Sequence, residues 1–473
     1  MMSNVAMASS APRTTPHGVP VVASADVVVV GGGPGGFAAA LRARRDGCSV
    51  ILIERFDMPG GVHTIGLQGA VNAGVGGIHT ELMERFEREG CIYVADETVL
   101  PDWAGNPLAH YDYYLPPGSP FRRASFNPET AGCIMARMLK EAGVQAIYGA
   151  SFVDVEMELQ GNESAIRYVI IESASGREAV EGKIFIEGTG TSELVARSGA
   201  PFVRGGGYQP AGVEYDGERR PIPGGLLWIM AGIDFSRTAE YQKRENDPLL
   251  LKLIEKARAA GDIPPELYRP RLRGNVYGMQ YIGHPTVDMS PIQAPGTFIF
   301  WQNVPYEWGL HMDDSRADAS RAKEELRGLI EAEQRFLIKY VPGFESAYVT
   351  QVGRYVGVRD GRHPIGEYVF SIDDAREERR FHDAVTRSMT KTFFWDNYRK
   401  YTIEVPFRCF LPKKVNNMLL TGASLSFTYE TIFMVMRNFP WCTQTGEIAG
   451  HAAALCIQQG ILPKQLEWNK RMF

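Results

Sequence analysis

The chain has 473 residues, 44 % of them apolar and 22 % charged, a globular composition that excludes a wholly disordered protein. Fifty basic against 55 acidic side chains leave −5, which gives no reason to expect nucleic acid or another polyanion as partner. No apolar run reaches the roughly 18–20 residues of a membrane span, and six cysteines without a CxxC pair read as free thiols in a reducing cytosol.

Residues 1–24 are small and polar, with prolines but no apolar h-region, and are expected to form a disordered tail. At Asp26 the character changes. Val27–Val30 is a continuous apolar run, as in a parallel strand buried on both faces. Six residues follow, Gly31-Gly32-Gly33-Pro34-Gly35-Gly36; then Phe37, Ala40 and Leu41 recur at helical spacing until Gly47. A second apolar run, Val50–Ile53, ends in Glu54 and completes a βαβ unit.

Asn127-Pro128-Glu129 opens another helix, with a capping side chain, Pro in the first turn and an acid near the positive end; Gly143 ends it. Ala146–Glu187 is mostly strand, broken by turns at Gly161-Asn162 and Ser175-Gly176, and reads as an antiparallel meander leading into Gly188-Thr189-Gly190. Residues 205–404 hold Pro-rich loops, isolated strands such as Thr297–Trp301 and charged helices such as Ser315–Lys339. They read as an inserted α+β substrate or cap domain. Asn417–Thr421 is again an apolar strand, followed by Gly422, and Pro440–Gln459 is a helix closed by Gly460. The expected fold is therefore α/β. A discontinuous Rossmann-like domain, 25–204 and 405–473, carries a parallel sheet and the β-meander, with the cap inserted between its parts.

The spacing Gly31-x-Gly33-x-x-Gly36, with Pro34 inside it, opens a helix directly after a strand. The first glycine allows the tight turn, the second lets backbone N–H groups approach a pyrophosphate, and the third lets helix and strand pack closely. Glu54 stands at the end of the next strand, where its carboxylate can accept both ribose hydroxyls and would repel a 2′-phosphate; FAD or NAD is favoured over NADP. Arg55, beside it, is counted with the same site. Pro59-Gly60-Gly61 suits a backbone loop near ribityl and pyrophosphate, and Gly188-Thr189-Gly190 and Gly422-Ala423-Ser424 close later strands. Gly446, Ala449, Gly450 and Ala453 form a small-residue face on the last helix, open to a flat ring or to another helix.

With these motifs the chain resembles the FAD-dependent oxidoreductases of the glutathione-reductase-like FAD fold, from Asp26 to Gly460. Further matches are Gly60-Gly61 with Thr64 and Gly66-Leu67, Gly357-Val358-Arg359 with Gly366-Glu367, Pro406-Phe407-Arg408-Cys409 before Leu411-Pro412, and Gly446-x-x-Ala449-Gly450. The resemblance implies bound FAD, with Gly190, Gly422 and Gly446 among its contacts. Where that family commonly has a His-Glu pair, this chain has Tyr429-Glu430. A shorter stretch, His63 to Ala73, is similar to the succinate dehydrogenase and fumarate reductase flavoprotein segment. There the histidine is bonded to the flavin 8-methyl group and a Gln-Gly stretch lines the ring. This implies either covalent FAD through His63 or a lining histidine, with Thr64 and Gln68 beside it.

Absence of CxxC argues against a dithiol relay of that type, and no second strand–GxGxxG–helix unit offers a site for NAD(P)H. Electrons are expected to pass between a small organic substrate and the flavin, with oxygen or an external carrier as the other partner. Arg354, Arg359, Arg362 and His363 surround Gly357; guanidinium forks suit a substrate carboxylate, or equally the cofactor or neighbouring acids. Arg359 and His363 are candidate catalytic residues, as are Tyr429 and Glu430 for proton transfer; the alternative for the last two is a hydrogen-bonded loop pair. The expected reaction is hydride transfer between the substrate and flavin N5, as oxidation or desaturation. Fumarate-reductase-like alkene reduction, monooxygenation and a non-catalytic carrier are the alternatives. The expected partners are thus a small molecule, anionic on the arginine reading, and no nucleic acid, membrane or metal. A homodimer is compatible with the sequence.

Overall fold

A computed structural model describes residues 13–73, 76–94, 122–160, 163–206, 218, 220–247, 250–267, 287–391, 400–429, 431 and 437–468. Strand β1 (Val21–Val30) leads through the glycine turn into helix α1 (Pro34–Arg45) and back into β2 (Val50–Glu54). β1 and β2 run parallel, Val27 opposite Val50 and Val30 opposite Ile53. Val27–Val30 are at most 1 % exposed because layers cover both faces of the sheet, which is why this stretch carries no polar alternation.

A small antiparallel sheet of β3 (Ala70–Ala73), β4 (Ile92–Val94) and β5 (Arg122–Phe126) follows, with helix α2 (Gly77–Arg88) between its strands. Helix α3 (Pro128–Ala142) starts as its sequence predicts: Asn127 Oδ1 accepts from the N–H groups of Glu129 and Thr130, and Gly143 closes the helix at φ 81°. β6 (Gln145–Tyr148) then joins β2 in parallel. The meander is β7 (Ser151–Gln160), β8 (Glu163–Ser173) and β9 (Gly176–Glu187), and β9 returns parallel to β1. After it come α4 (Glu193–Arg197) and β10 (Phe202–Arg204).

The second unit is a four-stranded antiparallel sheet. Its strands are β11 (Gly225–Ala231), β12 (Val287–Asp288), β13 (Phe298–Asn303) and β14 (Tyr348–Val352), in the order β12-β13-β11-β14. Helices α5 (Phe235–Glu245), α6 (Leu251–Ala259) and α7 (Arg316–Tyr340) complete it. Side chains alternate with period 2. Leu226, Trp228, Met230, Phe298 and Phe300 join one apolar core, while Leu227, Ile229 and Ile299 pack with Leu67 of the first unit. The cap sheet therefore turns one face to its own helices and the other to the glycine-rich domain.

The chain returns through β15 (Arg362–Pro364), which pairs with β10, then α8 (Ile372–Arg376) and the hairpin β16 (Ala384–Lys391) and β17 (Lys400–Pro406). β18 (Met418–Leu420) adds in parallel to the C-terminal end of β9, and helix α9 (Phe439–Gln459) ends the fold. The large sheet has the order β6-β2-β1-β9-β8-β7, with β18 as its seventh strand.

Two boundaries differ from the sequence reading. Residues 13–24 are not disordered tail: Thr14 bridges Pro20, Thr15 is buried and its hydroxyl donates to Glu156, and β1 starts at Val21, with Val21 opposite Ala179 and Ser24 opposite Glu181. In this half of β1 Val22 and Ser24 are exposed while Val21 and Ala23 are partly covered, so the strand carries no clean apolar–polar alternation. The cap also ends before 404, since Phe370, Ala375, Phe381, Val385, Ile403 and Val405 belong to the core of the first domain.

Candidate active site

The turn after β1 is shaped by backbone approaching backbone. Gly31 has φ 97°, and a Cβ there would stand 2.5 Å from the Gly188 carbonyl; one on Gly36 would stand 1.8 Å from the Gly31 oxygen. No side chain caps the N-terminus of α1 and no acid lies in its first turn, while Arg42, Arg44 and Arg45 occupy the last. Its free N–H groups and positive dipole end thus face open space beside Gly33, Pro34 and Gly35. Such a cradle fits the pyrophosphate of a dinucleotide.

Beside the cradle Glu54 Oε2 accepts the Gly32 N–H at 2.6 Å, and Oε1 accepts the Phe56 N–H at 2.9 Å. Each oxygen keeps a lone pair, so the carboxylate can still accept ribose hydroxyls. Burial pushes its pKa up against these hydrogen bonds. Arg55 lies 5.1 Å from the ring centroids of both Phe56 and Tyr355 and 3.5 Å from Glu193. Across the sheet end, Glu187 is fully buried and accepts from Thr189 N–H, the Thr189 hydroxyl and Leu194 N–H, at 2.6, 2.6 and 2.8 Å. It thereby ties the Gly188–Gly190 loop to α4. Burial raises its pKa to about 7.

The glycine turn, Glu54, Arg55 and the Gly188–Gly190 loop line one cleft with about 1820 Å³ of space, solvent at its mouth included. One end reaches Ile53, Ala150 and Phe152. The other reaches His63 and Gln68, the cap residues Leu227 and Trp301, and Asn438 and Phe439 at the start of α9. His63 is 4 % exposed and stacks on Phe439 with ring centroids 4.5 Å apart. Its Nδ1 is 3.0 Å from the Gln68 carbonyl, which can only accept, so the proton sits on Nδ1 and Nε2 carries the lone pair. Desolvation lowers its pKa to about 4, so the ring is neutral at physiological pH. Arg359 lies 4.5 Å from the Trp301 ring centroid and donates to Asn303 Oδ1 at 2.9 Å and to the Pro223 carbonyl. Gly225 makes room for that indole, because a Cβ there would stand 2.1 Å from Trp301 Nε1.

Of the residues expected at the cofactor, Gly31, Gly33, Pro34, Glu54, Arg55, Gly61, His63, Gln68, Gly190 and Gly422 line the cleft. Gly36, Gly60 and Thr64 stand one step behind it. The Gly60 N–H donates to the Gly32 carbonyl at 2.8 Å, which ties the two glycine loops together, and the Thr64 hydroxyl braces the second loop by donating to the Pro59 carbonyl at 2.8 Å. Gly446 is elsewhere: a Cβ on it would stand 2.0 Å from the Gly35 oxygen, so its small size serves the packing of α9 on α1. Of the candidate catalytic residues, Arg359 lines the cleft. His363 is buried outside it, with Nε2 2.7 Å from Asp360 Oδ1. Asp360 Oδ2 in turn accepts the Gly206 and Ile222 N–H groups, so the pair anchors backbone. Tyr429 is half-buried and absent from the cleft lining, and Glu430 lies outside the described residues. The sequence reading missed Trp301, Tyr355, Arg437 and Phe439. Apolar patterning signals aromatic burial, but not which face will meet a site built by another domain.

Strand, glycine turn, uncapped helix and carboxylate define a dinucleotide-binding fold whose cleft continues under a cap. The chain matches the model of the FAD dependent oxidoreductase family over residues 26–471 and belongs to that family. It is an FAD-dependent oxidoreductase, and the residues present fit FAD. No curated protein sequence matches it. Among solved structures it is similar to a geranylgeranyl bacteriochlorophyll reductase-like protein of Thermoplasma acidophilum (13 % identity, 95 % of this chain and 81 % of that one, TM-score 0.44). It is also similar to a p-nitrophenol 4-monooxygenase of Pseudomonas putida (12 %, 94 % and 82 %, TM-score 0.44) and to a myxobacterial chondrochloren halogenase (13 %, 94 % and 77 %, TM-score 0.42). Likeness at this level says nothing of the reaction. Among the described residues, no helix is long and apolar enough to cross a membrane and no group of three or more His, Cys, Asp or Glu side chains is placed to hold a metal ion.

Proposed function

We propose that the protein oxidises a small organic anion bound at the cap end of the cleft. The observation that carries this reading is the distribution of charge along one continuous space. The acids that line it, Glu54 and Glu193, stand with Arg55 on the cradle side; the far end offers Arg359 and Arg437 with no carboxylate among the described lining residues. FAD, when bound, supplies a hydride acceptor at N5.

The chain's own groups supply position. Asn303, the Pro223 carbonyl and the Trp301 ring hold the Arg359 guanidinium in a fixed plane, suited to a substrate carboxylate. Trp301 and Leu227 offer an apolar wall for the rest of the molecule. His63, neutral and protonated on Nδ1, offers Nε2 only as an acceptor.

The test is anaerobic titration of the FAD-loaded protein with small organic acids and their methyl esters, followed by loss of oxidised-flavin absorbance. Bleaching by acids and not by esters is expected. Arg359→Leu should raise the half-saturating concentration at least tenfold while FAD stays bound. Equal bleaching by acid and ester would overturn the anionic-substrate reading.

A further inference from the structure

A second cleft, with about 700 Å³ of space including its open mouth, adjoins the first. Arg55, Phe56, Glu193, Tyr355 and Val358 line both and form the wall between them. The far side is cap: Met312 and Asp313 before α7, and Ala319 and Lys323 on it, with Arg354 and Val356 beyond β14. The FAD reading does not use this space.

Its chemistry is uneven. Arg55, Lys323 and Arg354 place three cations on it; Arg55 pairs with Glu193 at 3.5 Å, Arg354 has an exposed partner in Asp57 at 3.1 Å, and Lys323 has no ion-pair partner among the described residues. Within the cleft sits Asp313, whose side chain is only 3 % exposed. Its cationic partner is Arg362 at 3.9 Å, beyond hydrogen-bonding reach. Burial and the nearby Asp314 raise its pKa against Arg362, His311 and a hydrogen bond from its own backbone N–H, and its oxygens keep lone pairs for a further donor.

We propose that this second cleft binds a hydroxylated organic anion, its acid group held by Lys323 and Arg354 and a hydroxyl donating to Asp313. The site connects to the first. Arg362 Nη1 donates to the Thr191 carbonyl at 3.0 Å, and the Thr191 hydroxyl donates to Glu193 at 3.0 Å, the partner of Arg55. A ligand on Asp313 therefore bears on the wall of the FAD cleft through two residues.

Calorimetric titration of the FAD-loaded chain tests this, with ribose 5-phosphate as the hydroxylated probe and inorganic phosphate as the probe without hydroxyl carbons. FAD in place fills the cradle side of the first cleft, and Lys323→Glu, which touches only the second, separates this site from the Arg359 end of the first. Saturable binding of ribose 5-phosphate is expected, tighter than that of phosphate. Lys323→Glu, an exposed change that leaves the fold intact, should weaken it at least tenfold. Asp313→Ala should weaken ribose 5-phosphate and leave phosphate unchanged, with retained FAD absorbance reporting that the chain is folded. Absence of saturable binding, indifference to Lys323→Glu, or binding only after FAD removal would each overturn the site. Equal affinity for both probes would overturn the hydroxyl contact at Asp313.

Discussion

Substituting Gly446 by alanine separates two uses of a small residue on α9. Were Gly446 at a flavin face, an added methyl group would press on the cofactor and leave the apo fold unharmed. Against α1, the new Cβ would stand 2.0 Å from the Gly35 carbonyl oxygen and 2.9 Å from its Cα. Ordinary contact begins at 3.4 Å, so the helices must part by about 1.4 Å, the difference of the two distances. The obstructing atoms are main chain and have no rotamer to move to. Overpacking of this kind costs about 1–3 kcal/mol, while replacing Gly by Ala inside a helix returns up to about 1 kcal/mol. With the full return, a net loss of about 0–2 kcal/mol follows from those two ranges. The same displacement tilts the N-terminus of α1 away from the Gly188 loop, so FAD retention should fall with stability. Gly450→Ala repeats the insult one turn later, 2.3 Å from the Ala39 oxygen. Because both changes force one separation, the double variant should lose less than the sum of the singles. Urea melts of each variant, with and without FAD, and the flavin released per chain on heating measure all of this. A Gly446→Ala protein more stable than the parent, with full flavin content, would refute the packing argument.

Glu54→Ala should weaken FAD binding at least tenfold: it removes the ribose acceptor and also frees the Gly32 and Phe56 N–H groups that hold the turn, and equilibrium dialysis against FAD reads the loss. Two buried groups should give the apparent melting temperature opposite pH slopes. Glu187 has its folded pKa raised to about 7, so its contribution is greatest below its ordinary value near 4.5 and is lost as pH rises through 7. His63 has its folded pKa lowered to about 4, so its contribution is full above 6.5 and is lost as pH falls through 4. Glu187→Gln should flatten the alkaline fall and His63→Gln the acid one, as thermal scans from pH 4 to 8 would show. Acid precipitation decides whether His63 is covalently joined to FAD: colour in the supernatant makes it a lining residue, whereas colour in the pellet that disappears in His63→Ala makes it the attachment point.

The βαβ unit was legible from Asp26 to Glu54 because its signals are local. An unbroken apolar run, glycines at fixed spacing and a terminal acid each report on backbone within a few residues. Helix α3 was legible for the same reason, through Asn127 at its start and Gly143 at its end. The cap sheet was seen only in fragments, because β11, β13 and β14 are joined through long connections and their pairing is not local.

By itself, then, the sequence determined the dinucleotide turn and the strand–helix framework that presents it, since main-chain sterics confine those glycine positions whatever surrounds them. Tertiary structure decided the use of side chains. It assigned Gly446 to helix packing, set His363 to holding backbone through Asp360, and brought Trp301 and Arg359 from the inserted cap to the far end of the cleft. Burial and contact are properties of two surfaces meeting. A chain read residue by residue carries the shape of each surface but not the identity of the one it will meet.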